Sequence, residues 1–515
     1  MTTNKPYDYI IVGAGAAGCV IANRLLEMTD GRVLLLEAGG SDDRESIRVA
    51  SIPSMTSMWG PDDANWGYMT SAQAHLNGRA IPIAQGRVLG GSTSINAMIY
   101  VRGNRKDFDQ WNYLGNAGWA YEDVLPYFKK SEDYEGGESY YHGAGGPLRV
   151  IDFTNPSAAA QSFIAAAEEL GYAGNGFDCN TAHQEDGAFL YQSTRRSPER
   201  RWSTADAFLH PVMDNPNLTV ITGAMVTRVL LDGTRAIGVE YVHDGELQGA
   251  HADAEVILSA GAFASPKLLM LSGLGPAAHL QEHDIDVVMD LPGVGQNLQD
   301  HLLFGVAYRS LKELAFPPLL AEAGFFTRTR QGMAQAAPDL QFFFGAVLFV
   351  ADEYRVEGPA FTFAPILIQP KSRGTVTLRS NKPENLAIVD PHYLESPADL
   401  VTLVRGIEIA REFAHTNAMA AIRGAEIAPG AAVTDRAALA EYVRKNAGTV
   451  WHPAGTCKMG SDHMAVVNDQ LQVHGVENLR VVDASIMPVV TAGNTNAATI
   501  MIAEKGADMI AADHT

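Results

Sequence analysis

The sequence predicts an α/β domain with a doubly wound parallel sheet, joined to an α+β domain built on an antiparallel sheet. Two observations predict this combination. Near the N-terminus a short strand, a glycine-rich turn, a helix and a second strand follow one another within residues 9–37, which is half of a doubly wound unit. Residues 303–400, by contrast, contain β-rich segments separated by turns, which is typical of an antiparallel sheet.

The composition indicates a large globular protein of one domain or two to three interleaved ones. The chain has 515 residues, of which 46% are hydrophobic, so it is too apolar to be intrinsically disordered. Its 38 Lys and Arg against 59 Asp and Glu leave a net charge of -21, which would repel nucleic acid and anionic lipid. The longest apolar run, residues 342–351, is about half of the roughly 20 residues that span a bilayer, so we expect no transmembrane helix.

Two further patterns concern the cellular compartment and metal binding. The first seven residues contain neither a basic segment nor a cleavable apolar stretch, so we expect an intact cytoplasmic chain. Cys19, Cys179 and Cys457 are widely spaced and form no Cys-x-x-Cys pair, so neither a disulfide framework nor a metal site is predicted. The oligomeric state is left open.

The first glycine-rich turn predicts a dinucleotide site. Between the predicted strand 9–12 and the predicted helix 19–26 lies Gly13-Ala14-Gly15-Ala16-Ala17-Gly18. In such a turn the first glycine permits the bend, the second lets backbone amides approach a pyrophosphate, and the third allows close helix–strand packing. Glu37 ends the next strand, 32–37, where a carboxylate can accept hydrogen bonds from both ribose hydroxyls and disfavours NADP. The alternative interpretation of Glu37 is a solvent-facing acid at a strand end.

The remaining elements follow in order along the chain. Residues 38–83 show weak periodicity and are expected to form a long ordered excursion over the surface instead of another βαβ unit. Strands are predicted at 217–222, 226–231, 236–242, 255–260, 341–350, 361–369 and 374–379, the second and third joined at the Asp232-Gly233 turn. Helices are predicted at 157–170, 397–413, 435–446 and 495–512.

A second glycine-rich segment distinguishes between cofactors. The first motif by itself allows either NAD or FAD. Residues 86–96, Gly-Arg-Val-Leu-Gly-Gly-Ser-Thr-Ser-Ile-Asn, supply clustered backbone amides and hydroxyls beyond what the first βαβ unit of a nicotinamide enzyme needs. An ordinary turn is the alternative interpretation of this segment. The NAD-dependent alternative fails on residues 86–96, and a colourless purified protein would revive it.

At this point the chain resembles the glucose–methanol–choline (GMC) oxidoreductase family. The first family signature matches residues 86–103 position for position, and the second matches Gly261-Ala262, Ser265-Pro266, Leu268-Leu269 and residues 272–275. Residues 451–456 and 482–485 add a third match near the C-terminus, so the likeness runs from residue 8 to about residue 512.

The resemblance implies a Rossmann-like FAD-binding domain with a discontinuous substrate domain, the GMC fold. The expected segments are 1–155, 196–302 and 446–515 for the FAD-binding domain and 156–195 and 303–445 for the substrate domain. The ADP part of FAD is expected on residues 13–18 and Glu37, the adenine against Val226, and the flavin ring against residues 90–96. Relatives with covalent flavin carry a histidine where this chain has Ile95, so dissociable FAD is expected.

The residues that the resemblance and the motifs assign to FAD come from several segments. They are Gly13, Ala14, Gly15, Ala16, Ala17, Gly18, Glu37, Ala38, Trp66, Arg87, Gly90, Gly91, Ser92, Asn96, Ala97, Met98, Ile99, Val226, Trp451, Asp483, Ala484, Asn494 and Thr495.

Oxidation of an alcohol by a flavin requires a base, because the hydroxyl proton must be removed as hydride leaves the carbon. Histidine suits this task at neutral pH. His452 precedes Pro453-Ala454-Gly455 in a rigid loop of small residues with room for a substrate, and it matches the catalytic histidine of the family. The family places a second His or Asn ten residues before an acid of the final helix. Glu504 marks that place and selects Asn494.

Asn494 is expected to hydrogen-bond the alcohol oxygen but cannot act as the base. Its alternative role is an N-cap of the final helix, and the two roles are compatible. Asp300-His301 is interpreted as structural. The cluster Phe342, Phe343, Phe344, Phe349, Phe361 and Phe363 is predicted to be mixed, part core and part pocket wall, because alternate strand residues face opposite sides.

The leading hypothesis is an FAD-dependent alcohol dehydrogenase or oxidase, with dehydrogenase preferred, acting on a neutral, primary, partly apolar or aromatic alcohol. Choline-oxidising relatives carry an acid shortly after the Asp-His pair, whereas this chain has Leu302-Leu303-Phe304, so a quaternary ammonium loses its counter-charge. Two alternatives remain: a flavin-containing hydroxynitrile lyase and a choline- or sugar-type alcohol dehydrogenase. Whether O₂, a quinone or another acceptor reoxidises the flavin is left open.

Overall fold

The computed structural model describes residues 6–330, 332 and 336–514. Residues 1–5, which belong to the segment from which we expect an uncleaved N-terminus, lie outside the described residues. Within the described part of the chain, no helix combines the length and the hydrophobicity needed to cross a membrane. Cys19, Cys179 and Cys457 are all buried free thiols.

A seven-stranded sheet, here called the nucleotide sheet, contains the predicted doubly wound unit. Its parallel strands lie in the order Leu218–Ile221, Val33–Leu36, Tyr7–Val12, Glu246–Leu258 and Leu479–Val481. Residues 33–36 and 255–258 are apolar runs apart from Glu255, and they are buried, as expected of strands covered on both faces.

The strand predicted at residues 255–260 is part of a longer element. Glu246–Leu258 is one strand whose first half alternates exposed and buried residues. That half pairs antiparallel with Arg235–His243, which pairs with Met225–Asp232 across the predicted Asp232-Gly233 turn. The two halves differ because the first has one face in solvent, whereas the second continues into the buried parallel sheet.

A helix near the N-terminus and the final helix of the chain pack against each other beside this sheet. Ala16–Met28 follows the first glycine turn and packs against the final helix, Thr495–His514. Arg24 donates from Nε and Nη2 to the two carboxylate oxygens of Glu504, each at 2.8 Å, and Glu504 is fully buried. This bidentate pair anchors the final helix, which begins immediately after Asn494.

The predicted antiparallel sheet forms the second half of the molecule. Eight strands compose it. Six lie in the order Arg423–Ala428, Val306–Ser310, Ala360–Leu367, Leu340–Gly345, Ala323–Thr327 and Gly187–Leu190, while Leu302–Leu303 pairs with Ala360–Leu367 and Gly448–Thr449 pairs with Leu302–Leu303. Leu302–Leu303 straddles the boundary expected between residues 302 and 303, and Gly448–Thr449 lies just inside the expected segment 446–515. The loop that follows residue 449 therefore leaves directly from this sheet.

Two strand predictions in this region differ from the structure. One predicted strand is longer than the observed one, and the other belongs to a separate sheet. The strand predicted at 341–350 ends at Gly345, because Thr362 then satisfies the departing backbone: its hydroxyl donates to the Val347 carbonyl (2.6 Å) and accepts from the Phe349 amide (3.0 Å). The segment 374–379 contributes Thr375–Thr377, which pairs only with Ile388–Asp390 in a separate two-stranded sheet.

The predicted excursion over residues 38–83 contains two helices and one short strand pair. The helices predicted at 397–413, 435–446 and 495–512 begin and end within two residues of their predicted limits. The helices are Ala16–Met28, Glu45–Arg48, Ile52–Trp59, Arg105–Tyr113, Tyr121–Ser131, Ala158–Glu169, Gly261–Leu271, Ala277–Glu282, Pro397–Ala414, Asn417–Ala420, Arg436–Asn446 and Thr495–His514. The remaining short strand pairs are Tyr68–Met69 with Pro82–Ile83, Ile99–Tyr100 with Gln192–Ser193, Glu132–Tyr134 with Leu148–Val150, Arg195–Ser197 with Arg200–Arg201, and Leu274–Gly275 with Met289–Asp290.

The prediction that the phenylalanine cluster divides between core and pocket is confirmed. Four of its rings, Phe342, Phe344, Phe361 and Phe363, are buried in a core that also contains Phe163 and Phe413 from helices. Phe343 and Phe349 instead line the cavity described below. The alternation along one strand decides which ring faces which side.

Candidate active site

A cavity of about 430 Å³ runs between the nucleotide sheet and the antiparallel sheet. Most of the residues predicted to contact FAD line it: Gly13, Gly15, Ala16, Ala17, Glu37, Ala38, Trp66, Gly91, Ser92, Asn96, Ala97, Met98, Ile99, Val226, Trp451, Asp483, Ala484, Asn494 and Thr495. Ala14, Gly18, Arg87 and Gly90 lie behind its wall. The predicted catalytic residue His452 lines the same cavity.

The glycines of the two predicted motifs are required by close backbone approaches. A Cβ on Gly13 would lie 2.6 Å from the Ser259 carbonyl oxygen, and one on Gly18 would lie 1.9 Å from the Gly13 carbonyl oxygen. A Cβ on Gly91 would lie 2.7 Å from Gly15 Cα. The second glycine-rich segment, a short 3₁₀ turn over Gly91–Ser94, therefore packs directly on the first and completes one cradle of backbone amides.

Glu37 lies where a ribose ligand is expected, and it faces the cavity, not bulk solvent. Its Oε2 accepts the Ala14 amide (2.9 Å) and its Oε1 accepts the Gly39 amide (2.8 Å). Each oxygen keeps a further lone-pair site for a hydroxyl donor. Burial raises the pKa of Glu37 to about 7, opposed by these two amide hydrogen bonds. The carboxylate oxygens of Glu37 and the cradle of backbone amides fit the ADP part of FAD.

A second buried carboxylate, Asp483, also lines the cavity. Asp483 accepts from the Gly261 amide (2.8 Å), from the Ser485 amide (2.8 Å) and from the Ser265 hydroxyl (2.5 Å). Burial raises its pKa, and these donors oppose the shift. Asp483 thereby joins the third matched segment to the helix Gly261–Leu271, whose start is the second matched signature.

Asn494 is presented by a clamped turn. The preceding Ala492 donates its amide to Asp107 Oδ2 (2.6 Å), and its carbonyl accepts from Gln184 Nε2 (2.7 Å). Burial raises the pKa of Asp107 to about 7. Both peptide groups of Ala492 are therefore fixed, one by Asp107 of the helix Arg105–Tyr113 and the other by Gln184 of the loop before Gly187–Leu190.

Asp300 organises the loop that carries the predicted base. Its Oδ1 accepts the backbone amides of His301 and His452, both at 2.8 Å, and its Oδ2 accepts the hydroxyls of Thr449 and Tyr393. Burial raises the pKa of this carboxyl, and the four donors counteract the shift. The network connects Asp300 and His301, which precede the strand Leu302–Leu303, with Thr449 and the loop that follows it.

The His452 imidazole stands between two nitrogen partners. Its Nε2 lies 3.2 Å from Asn494 Nδ2, and its Nδ1 lies 3.0 Å from His301 Nδ1. Burial lowers the pKa of His452 to about 3. The ring is therefore neutral at physiological pH and can accept a proton, which is the state that a general base needs.

The Asn494 amide keeps hydrogen-bonding capacity beside that ring. Its Oδ1 is buried and has no hydrogen-bond partner among the described residues. The side chain therefore does not cap the helix Thr495–His514, although Asn494 directly precedes it. An unsatisfied buried polar atom of this kind is costly unless a ligand pairs with it.

The wall near His452 on the antiparallel-sheet side is apolar. It is formed by Leu303, Leu320, Ala321, Phe343, Val347, Phe349 and Ala364. Of the described residues that line the cavity, the only carboxylates are Glu37 and Asp483, and both are engaged as described above. Nothing on this wall offers a negative charge to a cationic substrate.

The closeness of Asp300 and His301 to the predicted base is not predicted from the sequence. We interpreted the pair as structural, and the structure puts both in direct contact with His452. The available signal was the position of Asp-His at the end of the segment 292–301. Ser259–Ala264 also line the cavity, although only Gly261 and Ala262 had been matched, and no role had been given to them.

Comparisons with known proteins agree on one family. Two family models, both described as GMC oxidoreductase, match residues 7–303 and 370–503. The chain is 42% identical to an alcohol dehydrogenase [acceptor] of Pseudomonas putida, over 98% of this chain and 95% of that protein. It is 41% identical to the mitochondrial choline dehydrogenase of Mus musculus, over 98% and 89%. The crystal structure of pyridoxine 4-oxidase from Mesorbium loti superposes with a TM-score of 0.90 at 35% identity, over 98% of both chains.

Proposed function

This chain belongs to the GMC oxidoreductase family of FAD-dependent enzymes that oxidise CH–OH groups, and within that class we propose that it oxidises a neutral, primary, partly apolar or aromatic alcohol to the aldehyde. The observation that carries the substrate class is the apolar wall beside His452. Leu303, Phe343 and Val347 line the same cavity as His452 and offer apolar surface to the rest of such a substrate. Apolar surface buried there contributes about 25 cal/mol per Å².

FAD, held by residues 13–18, Glu37 and Asp483, would supply the acceptor for the hydride that leaves the carbinol carbon as the C=O bond forms. His452 would receive the hydroxyl proton at Nε2, the nitrogen on the Asn494 side of the ring. Because burial keeps its pKa low, the ring is unprotonated before the reaction. The chain thus provides the base, and the alcohol loses one proton and one hydride.

Asn494 completes the site by orienting the alcohol oxygen. Its amide is held beside His452 by the clamped turn at Ala492, and its Oδ1 has no other described partner. The amide can therefore accept the alcohol hydroxyl or donate to the developing alkoxide, while remaining uncharged. Leu303 and the other apolar side chains exclude water from the same space.

Choline is the second candidate, because the Mus musculus relative carries that name. Recognition of a quaternary ammonium normally uses a carboxylate or an aromatic cage. Choline-oxidising relatives carry an acid in the region where this chain has Leu302-Leu303-Phe304, and no carboxylate lines that wall among the described residues. The hydroxynitrile lyase alternative is not retained, since the relatives named above are dehydrogenases and an oxidase. We propose dehydrogenase over oxidase on the Pseudomonas putida relative.

Anaerobic stopped-flow mixing of the holoenzyme with an alcohol panel tests the substrate class. The panel contains benzyl alcohol, 1-hexanol, choline and glucose, and the signal is bleaching of the oxidised flavin. For benzyl alcohol and 1-hexanol, we expect the limiting rate constant of flavin reduction divided by the alcohol dissociation constant to be higher than for choline or glucose. Admission of air afterwards reports the acceptor, since slow recolouring indicates a dehydrogenase. Faster reduction by choline would refute the proposed substrate class.

A further inference from the structure

His301 is a buried imidazole that the proposed reaction does not yet use. It is fully buried, and it does not line the cavity, so it meets no substrate. Its ring stands perpendicular to that of His452, with centroids 5.2 Å apart, and the two Nδ1 atoms are 3.0 Å from each other. Two imidazoles in this geometry share a hydrogen bond, which requires one proton between the two nitrogens.

The position of that proton follows from the other partner of His452. On its far side, Nε2 faces the Nδ2 of Asn494 at 3.2 Å, and an amide nitrogen can only donate. Nε2 therefore carries a lone pair, so the ring proton of neutral His452 is on Nδ1. That N–H donates to Nδ1 of His301, and His301 carries its own proton on Nε2.

We propose that His301 is a positioning residue that fixes the tautomer and orientation of His452, so that Nε2 carries a lone pair and not a proton before the alcohol reacts. This inference rests on the proposed role of His452 as base. When Nε2 takes the hydroxyl proton, the Nδ1–H of the resulting imidazolium still donates to His301, which stabilises the charged ring. In other base–orienter arrangements a carboxylate does this work.

Asp300 does not compete for this role, although it touches both residues. Its Oδ1 is directed to the two backbone amides and its Oδ2 to Thr449 and Tyr393, so neither oxygen binds an imidazole. His301 itself stays neutral, because burial and the nearby His452 lower its pKa well below the usual value. The backbone of Ile368 has the opposite, smaller effect on this pKa. Its Nε2 makes no hydrogen bond of ordinary geometry among the described residues. A neutral acceptor orients the base without raising the charge of the apolar site.

A matched pair of substitutions separates positioning from packing. His301→Asn keeps an acceptor oxygen near the place of Nδ1, and His301→Leu has the same branching without an acceptor. Each holoenzyme is first checked for FAD content and thermal midpoint. Anaerobic reduction by the alcohol that best reduces the wild type then gives a limiting rate constant and an alcohol dissociation constant.

We expect His301→Leu to lower the limiting reduction rate about 10-fold or more, since one neutral hydrogen bond alone is worth up to about 10-fold and a wrong tautomer adds to it. The alcohol dissociation constant should change by less than about twofold, because His301 does not line the cavity. His301→Asn should stay within about threefold of the wild type. Equal rates in all three proteins, or equal losses in both variants, would overturn the proposal.

NMR of the ¹⁵N-histidine-labelled wild-type holoenzyme gives a readout that does not depend on activity or on the stability of a variant. The proton of His452 should be on Nδ1, and in His301→Leu the population protonated on Nε2 should rise. A wild-type His452 protonated on Nε2 would overturn the inference. The proposed function fails separately, if His452→Ala is reduced at the wild-type rate or if no alcohol bleaches the flavin.

Discussion

Replacement of His452 by Ala should slow the reduction of bound FAD by alcohol about 100-fold at pH 7. General-base catalysis contributes roughly 10²–10⁴-fold, and its size grows with the basicity of the group. Burial lowers the pKa of His452 to about 3, so the ring is a weak base and the loss falls at the lower end of that range. Asn494→Ala removes one hydrogen bond to a neutral group, about 0.5–1.5 kcal/mol, and should cost about 2- to 13-fold.

The assay is the limiting rate constant of anaerobic flavin bleaching, measured for both variants at saturating alcohol. His251→Ala serves as the control substitution, since His251 is exposed, does not line the cavity, and is hydrogen-bonded through Nδ1 to the Ile237 carbonyl. FAD content must equal that of the wild type before rates are compared. If Asn494→Ala were the slower variant with FAD bound, the roles of base and orienting group would be wrongly assigned.

Four further outcomes are expected. Heat or acid denaturation should release all the FAD into the supernatant, because Ile95 stands where a covalent link would need a histidine; flavin that sediments with the protein would refute this. Glu37→Ala should weaken FAD binding in titrations of the apoprotein by about 1.5–3 kcal/mol for each charge-assisted hydrogen bond lost, and Glu37→Gln, which keeps an acceptor, by less; unchanged affinity would remove Glu37 as the ribose ligand. The pH profile of flavin reduction should have its acid limb below pH 6.5, because burial lowers the pKa of His452 and only the neutral ring accepts a proton; a limb above pH 6.5 would contradict this. Leu303→Glu should raise kcat/KM for choline relative to 1-hexanol about 10-fold, roughly 1.5 kcal/mol, whereas the uncharged Leu303→Gln should not; equal effects of the two would exclude a charge contribution.

Elements whose structure depends on residues close together in the chain are predicted from the sequence, whereas elements whose limits depend on pairing with distant strands are not. The first glycine turn, its flanking strand and helix, and Glu37 all lie within residues 7–37, and their structure follows from spacing and residue type alone. The antiparallel sheet was likewise predicted, because its strands carry their own β-rich composition. The length of Glu246–Leu258 was not, since pairing with two different neighbours extends it beyond its apolar run.

By itself, the sequence determined the fold class, the family and the identity of the cofactor, because each depends on short motifs whose backbone geometry is set by glycines and by strand ends. Only the tertiary structure decided what surrounds the base. His301 and His452 are 151 residues apart in the chain, and His452 and Asn494 are 42 apart. Their contacts exist because the strands Leu302–Leu303 and Gly448–Thr449 pair side by side and because Ala492 is clamped by Asp107. Such approaches depend on how whole elements pack, and no local pattern of residues encodes them.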